Sequence, residues 1–361
     1  MAEGKDIVWA ALFFTAGCGI AAWGATACTG SFNTLYTAAG TGFLFLIPPL
    51  FRLHILHSRS RTDLAAILFA AGLFCTFTAF LSPAAPLSPR MGKAWKLIDS
   101  IPYANAETGP LVKALLTGDR TDLPRPVLQA FRKSGASHIL ALSGLHMGFL
   151  YLAAGRLLAP LGRSMGARGL RRGVLLLSAG LFTLATGASP SVVRAFLFIT
   201  LRETALALHR KIHLERILCG ALMLQLAISP RSILAPGFQL SYLAMTGIVF
   251  LFPILEGIYP EETDGRGGKW PDLPRKIWSA AALAISCQAT TAPLAWILFD
   301  TFPRYFLITN LIAMPLTTLF MGVALLSVGL GVLGIQPVFL TLLCDKIAGT
   351  LIRALEVIAS L

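Results

Sequence analysis

The chain of 361 residues is 55% apolar by side chain and only 13% charged, with a mean hydropathy of +0.72. Soluble domains carry about 25% charged residues, so an ordinary water-soluble globule, a disordered chain and a bare nucleic-acid-binding domain are excluded. The net charge of +13, from 30 Lys and Arg against 17 Asp and Glu, leaves two readings. Either basic loops gather on one face of a membrane beside anionic lipid, or the protein handles a polyanion.

Crossing a bilayer takes about 20 apolar residues. The apolar blocks predict spans over roughly 7–28, 34–51, 64–81, 136–155, 173–188, 191–208, 214–229, 233–253, 277–298 and 305–331. The first block follows Glu3 and Asp6 and reads as a retained span, too long for a signal-peptide core. A last helix, 337–361, carries Asp345, Lys346, Arg353 and Glu356. It is expected to cross with its polar face inward or to lie in the interface. The fold class is an all-α polytopic membrane protein of about 10–11 spans, some of them broken by Pro or Gly. Six cysteines with no C-x-x-C pair read as small packing residues.

Connections 52–63, 156–172, 210–216 and 266–276 hold fifteen Lys and Arg, whereas 29–33, 187–191, 229–232 and 299–304 hold only Arg231 and Arg304. By the positive-inside rule the N-terminus is cytoplasmic and residues 82–135 face the other side. That stretch is the exception, with eight Lys and Arg. Three amphipathic pieces are predicted in it: Met91–Ile101, Glu107–Leu116, and Pro124–Ser134 with Asp122 as its cap and Gly135 as its stop. They are expected to rest on the bilayer surface or to form a basic vestibule. The organisation is an N-terminal three-span region (1–90), an extracytoplasmic amphipathic segment (91–135) and a helical core (136–361).

Polar side chains inside hydrocarbon usually face the bundle interior or water. Four places stand out. In SHILALSGLHMG (137–148), Ser143 and His146 are expected to share a helix face, with His138 two turns earlier. In TGASPSVVRAF (186–196), Pro190 separates two apolar blocks and Arg194 follows one turn on. In APGFQLS (235–241), Pro236 and Gly237 interrupt a span ahead of Gln239 and Ser241. The fourth is CQATTAPLAW (287–296), with Gln288, together with Asn310 and Pro315. Any one amide or hydroxyl is more often a helix-packing hydrogen bond than a functional group. For Arg194 the balance reverses, because a buried guanidinium needs an anionic or carbonyl partner.

Absent chemistry also decides something. The string GRGGKW is no P-loop, since Trp270 stands where Ser or Thr is required, so this chain supplies no nucleotide motor. No H-E-x-x-H occurs, and His138 and His146 are eight apart rather than four. No metal, cofactor or catalytic residue is expected, and a Ser143–His146 hydrolytic pair is the weakest reading because neighbours on one helix rarely align as nucleophile and base.

Taken in series, these segments resemble the transmembrane competence domain of the ComEC family of DNA-uptake channels. The most specific stretch is ALLTGDRTDLPRPVLQAFRKSGASHILALSGLHMGFL (114–150). There Gly118 and Asp119 match the family's turn, and His138, Ser143, Gly144 and His146 match its serine–histidine helix. SPSVVRAF, PGFQLSYLA, ATTAPLAW and then Asn310 through Pro315 follow in the family's order, so the resemblance covers roughly 91–331. Full-length members resemble this core plus an OB-like and a metallo-β-lactamase-like domain. Both are expected to be missing here, since only about fifty residues separate the third and fourth spans and none follow Leu361.

The resemblance implies an inner-membrane channel passing single-stranded DNA into the bacterial cytoplasm during transformation. Its implied path residues are His138, Ser143, His146, Arg194, Gln239, Ser241, Gln288 and Asn310, with Asp119, Arg120, Arg132 and Lys133 at the extracytoplasmic mouth. Expected partners are single-stranded DNA, the lipid bilayer, a cytoplasmic ATPase or strand-coating protein, an extracytoplasmic DNA receptor and a second copy of the chain. Two other classes stay open: a secondary transporter of a small anion, and a transport-inactive membrane scaffold.

Overall fold

The computed structural model describes residues 2–27, 68–76, 98–141, 144–162, 164–259, 272–299, 304–335 and 337–360. Among them there is no strand. The helices are α1 (Ala2–Ala27), α2 (Thr108–Thr117), α3 (Arg125–Lys133), α4 (Gly144–Leu157), α5 (Met165–Ala185) and α6 (Pro190–Ala207). They continue as α7 (Leu214–Ile228), α8 (Pro236–Glu256), α9 (Asp272–Phe299), α10 (Phe306–Val332) and α11 (Val338–Ser360). The predicted span 34–51 lies outside the described residues, as does most of 64–81 beyond a helical stretch over 68–76.

The protein is an all-α polytopic membrane protein. Among the described residues three helices, over Pro236–Glu256, Pro274–Leu298 and Phe306–Gly331, are long and apolar enough to cross a membrane. That is fewer than the apolar blocks suggest, for two physical reasons. Helices α4 and α7 have 14 and 15 residues, too short at 1.5 Å per residue for a hydrocarbon core of about 30 Å. Helices α5 and α6 carry three or more charges each, with Arg168, Arg171 and Arg172 in the one and Arg194, Arg202 and Glu203 in the other.

The chain forms two compact units, one from Met1–Pro86 with Phe196–Tyr242, the other from Leu87–Ala195 with Leu243–Leu361. In the first, α1 meets the 68–76 helix at a glycine-mediated crossing. A Cβ on Gly17 would collide with the Phe69 carbonyl, and one on Gly72 with the Phe14 carbonyl. Small residues let helix backbones approach in this way where no hydrophobic drive separates protein from lipid. Cys18 Sγ donates to Gly72 O at 3.3 Å, in keeping with a packing role.

The core of the second unit is built where α2, α3 and the chain around Leu140 meet α10 and α11. Thr309, Ala313, Thr317, Phe320, Met321, Ala324 and Ser327 form one buried stripe along α10, at the spacing of a single helix face. Against it pack Leu111 and Leu115 of α2, Phe131 of α3, and Leu351 and Leu355 of α11. The two described amphipathic pieces, α2 and α3, therefore spend their apolar faces on protein, not on the bilayer, whereas most of the predicted Met91–Ile101 piece lies outside the described residues. Helix α11 buries Cys344, Ala348 and Leu351 and leaves Lys346, Arg353 and Glu356 exposed. Of its predicted polar face only Asp345 turns toward the bundle, accepting from Ala104 N and Asn105 N.

Candidate functional site

The predicted span 136–155 is not one helix. Ala136–His138 forms a single 3-10 turn, and α4 begins afresh at Gly144. His138 is exposed in that turn, its Nδ1 3.1 Å from Gly135 O, and does not share a helix with His146. Ser143 lies outside the described residues. The sequence ILALSGLHMGFL is largely apolar, with only Ser143 and His146 as polar side chains, so hydropathy alone cannot register the break in the backbone.

The start of α4 is where three predicted groups come together. His146 is 3% exposed and its ring bonds the main chain of Leu115 on α2. Arg194, in the first turns of α6, is 8% exposed, and its Nη2 lies 3.2 Å from where a Cβ on Gly144 would stand. A Cβ on Gly144 would press on the guanidinium, which would have to shift by a few tenths of an ångström. The Arg194 charge also reaches Cys287 on α9, next to half-buried Gln288. Pro190 opens α6 at the position where its missing N–H costs nothing. The turn before it runs through Gly187 and Ala188, both at positive φ (77° and 52°).

Asn310 stands on α10 with its Oδ1 buried. Its neighbour Thr309, which sequence reasoning missed, donates to Ser134 O at 2.8 Å and ties α10 to the end of α3. A threonine hydroxyl in a hydrophobic run gives no warning of a partner 175 residues away. Gln239 and Ser241 belong to the first unit, where Gln239 Nε2 donates to Ile233 O at 2.7 Å. In the same unit Tyr242 OH donates to Gln225 Oε1 at 2.9 Å, a buried pair the sequence did not flag. On α9, Thr290 and Thr291 both donate to Cys287 O, so those hydroxyls are held by their own helix. Gly247 opens a π-helical turn within α8, and a Cβ there would collide with the Ser286 carbonyl.

The predicted mouth residues cluster around the turn after α2. Asp119 Oδ1 accepts from Thr121 N at 3.0 Å and Thr121 Oγ1 at 2.6 Å, fixing the turn behind Gly118, which sits at φ 80°. Asp122 does not cap α3. Pro124 holds that position, and Asp122 instead accepts from Lys113 Nζ at 2.6 Å, with Asp119 and Asp99 each 3.8 Å from the same nitrogen. Arg120 Nε donates to Leu140 O at 3.1 Å, and its guanidinium feels the charge of Arg132. Arg132 and Lys133 occupy the last turn of α3, where the helix dipole favours cations. Among the described residues no three His, Cys, Asp or Glu side chains are grouped to hold a metal ion.

These features define a polytopic helical membrane protein with a short helix starting inside a bundle, a buried arginine at that start, and a basic turn packed on a spanning helix. The chain belongs to the Competence protein family, whose members it matches over residues 115–361. Among curated proteins it is similar to ComE operon protein 3 of Bacillus subtilis (strain 168), with 30% identity over 148 residues. That match covers 41% of this chain and 19% of the relative, so the chain spans a minor part of the relative's length. No solved structure matches the chain.

Proposed function

We propose that this protein forms the membrane passage through which one strand of DNA enters the cytoplasm in natural transformation. Membership of the competence family supports the process, and the buried Arg194 at the start of α4 is the observation that carries the chemistry. The guanidinium is a fixed positive charge inside the helix bundle, and a passing phosphate can meet such a charge by charge-assisted hydrogen bonds. Conduction requires contacts weak enough to release, so a single arginine among neutral polar groups suits a channel better than a cluster that would clamp the backbone.

A full charge moving against a negative-inside potential costs about 2.3 kcal/mol per 100 mV. With no nucleotide motor in the sequence, we assign directionality to a separate cytoplasmic ATPase or strand-coating protein, and delivery of DNA to an extracytoplasmic receptor. The bilayer is the bacterial inner membrane, with the N-terminus in the cytoplasm by the count of basic loops. The short helix α4 beside Arg194 also suits a carrier of a small anion, because discontinuous helices form such sites.

The test is uptake of labelled DNA and of labelled small anions in a strain lacking the gene, with and without the wild-type copy restored. Restoration of cytoplasmic DNA, with anion uptake unchanged, is expected. Restoration of anion uptake alone would replace the channel with the carrier.

A further inference from the structure

Contacts along α10 place residues 101–134 where the sequence did not. At one end of that helix, Ile101 Cδ1 lies 3.8 Å from where a Cβ on Gly331 would stand, and Tyr103 packs against the same core. At the other end, Ser134 O accepts from Thr309. The buried stripe of α10 runs unbroken between these ends. From Thr309 to Gly331 is 22 residues, or about 33 Å of helix at 1.5 Å per residue. A hydrocarbon core is about 30 Å thick, and α10 is the most apolar of the three clear spans.

We propose that residues 101–134 run through the depth of the membrane beside α10, and that their outer side faces a water-filled passage rather than lipid. The segment is two short helices joined by the turn Gly118–Asp122. Backbone of that kind is tolerated at membrane depth only where protein or water satisfies it. Backbone groups of the segment and its neighbour are satisfied by protein: Leu140 O accepts from Arg120 Nε, Thr121 N–H donates to Asp119, and Asp345 accepts from the N–H groups of Ala104 and Asn105 at 2.9 and 3.3 Å. The outer side is different. Arg120, Thr121, Arg125, Gln129, Arg132 and Lys133 are all exposed. Lipid tails cannot solvate that row of charges, so water does.

The same geometry accounts for five of the eight Lys and Arg that make 82–135 the exception to the loop count, because Lys113, Arg120, Arg125, Arg132 and Lys133 belong to a segment threaded back through the membrane rather than to a translocated loop. The cations on its outer side outnumber the carboxylates, which fits an anionic passenger. That choice of passenger rests on the proposed function, whereas the path of the segment rests only on α10 being a span.

The experiment places single cysteines at Ala106 and Lys133, near the two ends, and at Thr121 in the turn, in the full-length protein in its membrane. A membrane-impermeant maleimide is added to spheroplasts or to inverted vesicles, and labelled peptides are identified by mass spectrometry so that the native cysteines remain in place. Lys133→Cys is expected to react from outside, Ala106→Cys from the cytoplasmic side, and Thr121→Cys at more than ten times the rate of a lipid-facing control at Leu319. Reaction of both ends from one face, or of neither, overturns the crossing. A Thr121→Cys rate no higher than the control overturns the water-filled side. If either end variant is absent from the membrane, Pro102→Cys or Gln129→Cys replaces it. None of these readings depends on DNA, so they separate failure of the path from failure of the cargo.

Discussion

Helix α10 is a single 27-residue apolar helix, whereas the more mixed stretch from Ile98 to Leu157 is a set of short pieces. The difference lies in who satisfies the backbone. Along α10 almost every amide is bonded within the helix, and Pro315 is absorbed without a break. The short pieces expose helix ends, and specific groups meet the C-terminal ends of α2 and α3. Gly118 N–H returns to Ala114 O at 3.0 Å, Gly135 turns the chain at φ 80°, and Thr309 covers Ser134 O. Continuous helices near membranes are stable on their own terms, whereas broken ones are stable only in the bundle that caps them.

That contrast can be broken most forcefully in the core. Phe131→Ala leaves a cavity between α3 and the helices it packs on, and is expected to destabilise the protein by about 3–5 kcal/mol, read as thermal unfolding in detergent. Leu319→Ala, exposed on α10, should change the same reading by about 0.5 kcal/mol or less. Gly17→Ala forces α1 away from the 68–76 helix and should cost about 1–3 kcal/mol. Gly19→Ala, whose new Cβ would meet Ile233 at an ordinary 3.7 Å, should cost nothing measurable in that assay. Thr309→Val leaves the Ser134 carbonyl without its buried donor, a loss of about 1–3 kcal/mol. Lys113→Met, apart from the two controls, is the smallest. Asp99 and Asp122 are largely exposed, so water screens the cluster and the expected loss is about 1 kcal/mol or less, shrinking further in high salt.

The sequence made the spanning helices legible because length and hydropathy act within one continuous segment. Helices α9 and α10 match the predicted 277–298 and 305–331 to within a turn or so. Local stop and start signals were legible too, as Gly135 and Pro190 show. The break before Gly144 was not, because Ile139 to Leu150 reads as one apolar run. Nor was the Lys113 cluster. Its carboxylates at 99, 119 and 122 converge only once α2 has turned the chain back at Gly118. Arg194 was legible as a costly residue, but its seat against Gly144 depends on two helices meeting 50 residues apart.

The account stands or falls on Arg194. Labelled DNA reaching the cytoplasm is measured in the deletion strain carrying Arg194→Ala at wild-type abundance in the membrane. Loss of DNA in the cytoplasm, with normal binding at the cell surface, is the predicted result. Uptake equal to wild type would contradict it, and would remove the start of α4 from the strand's route.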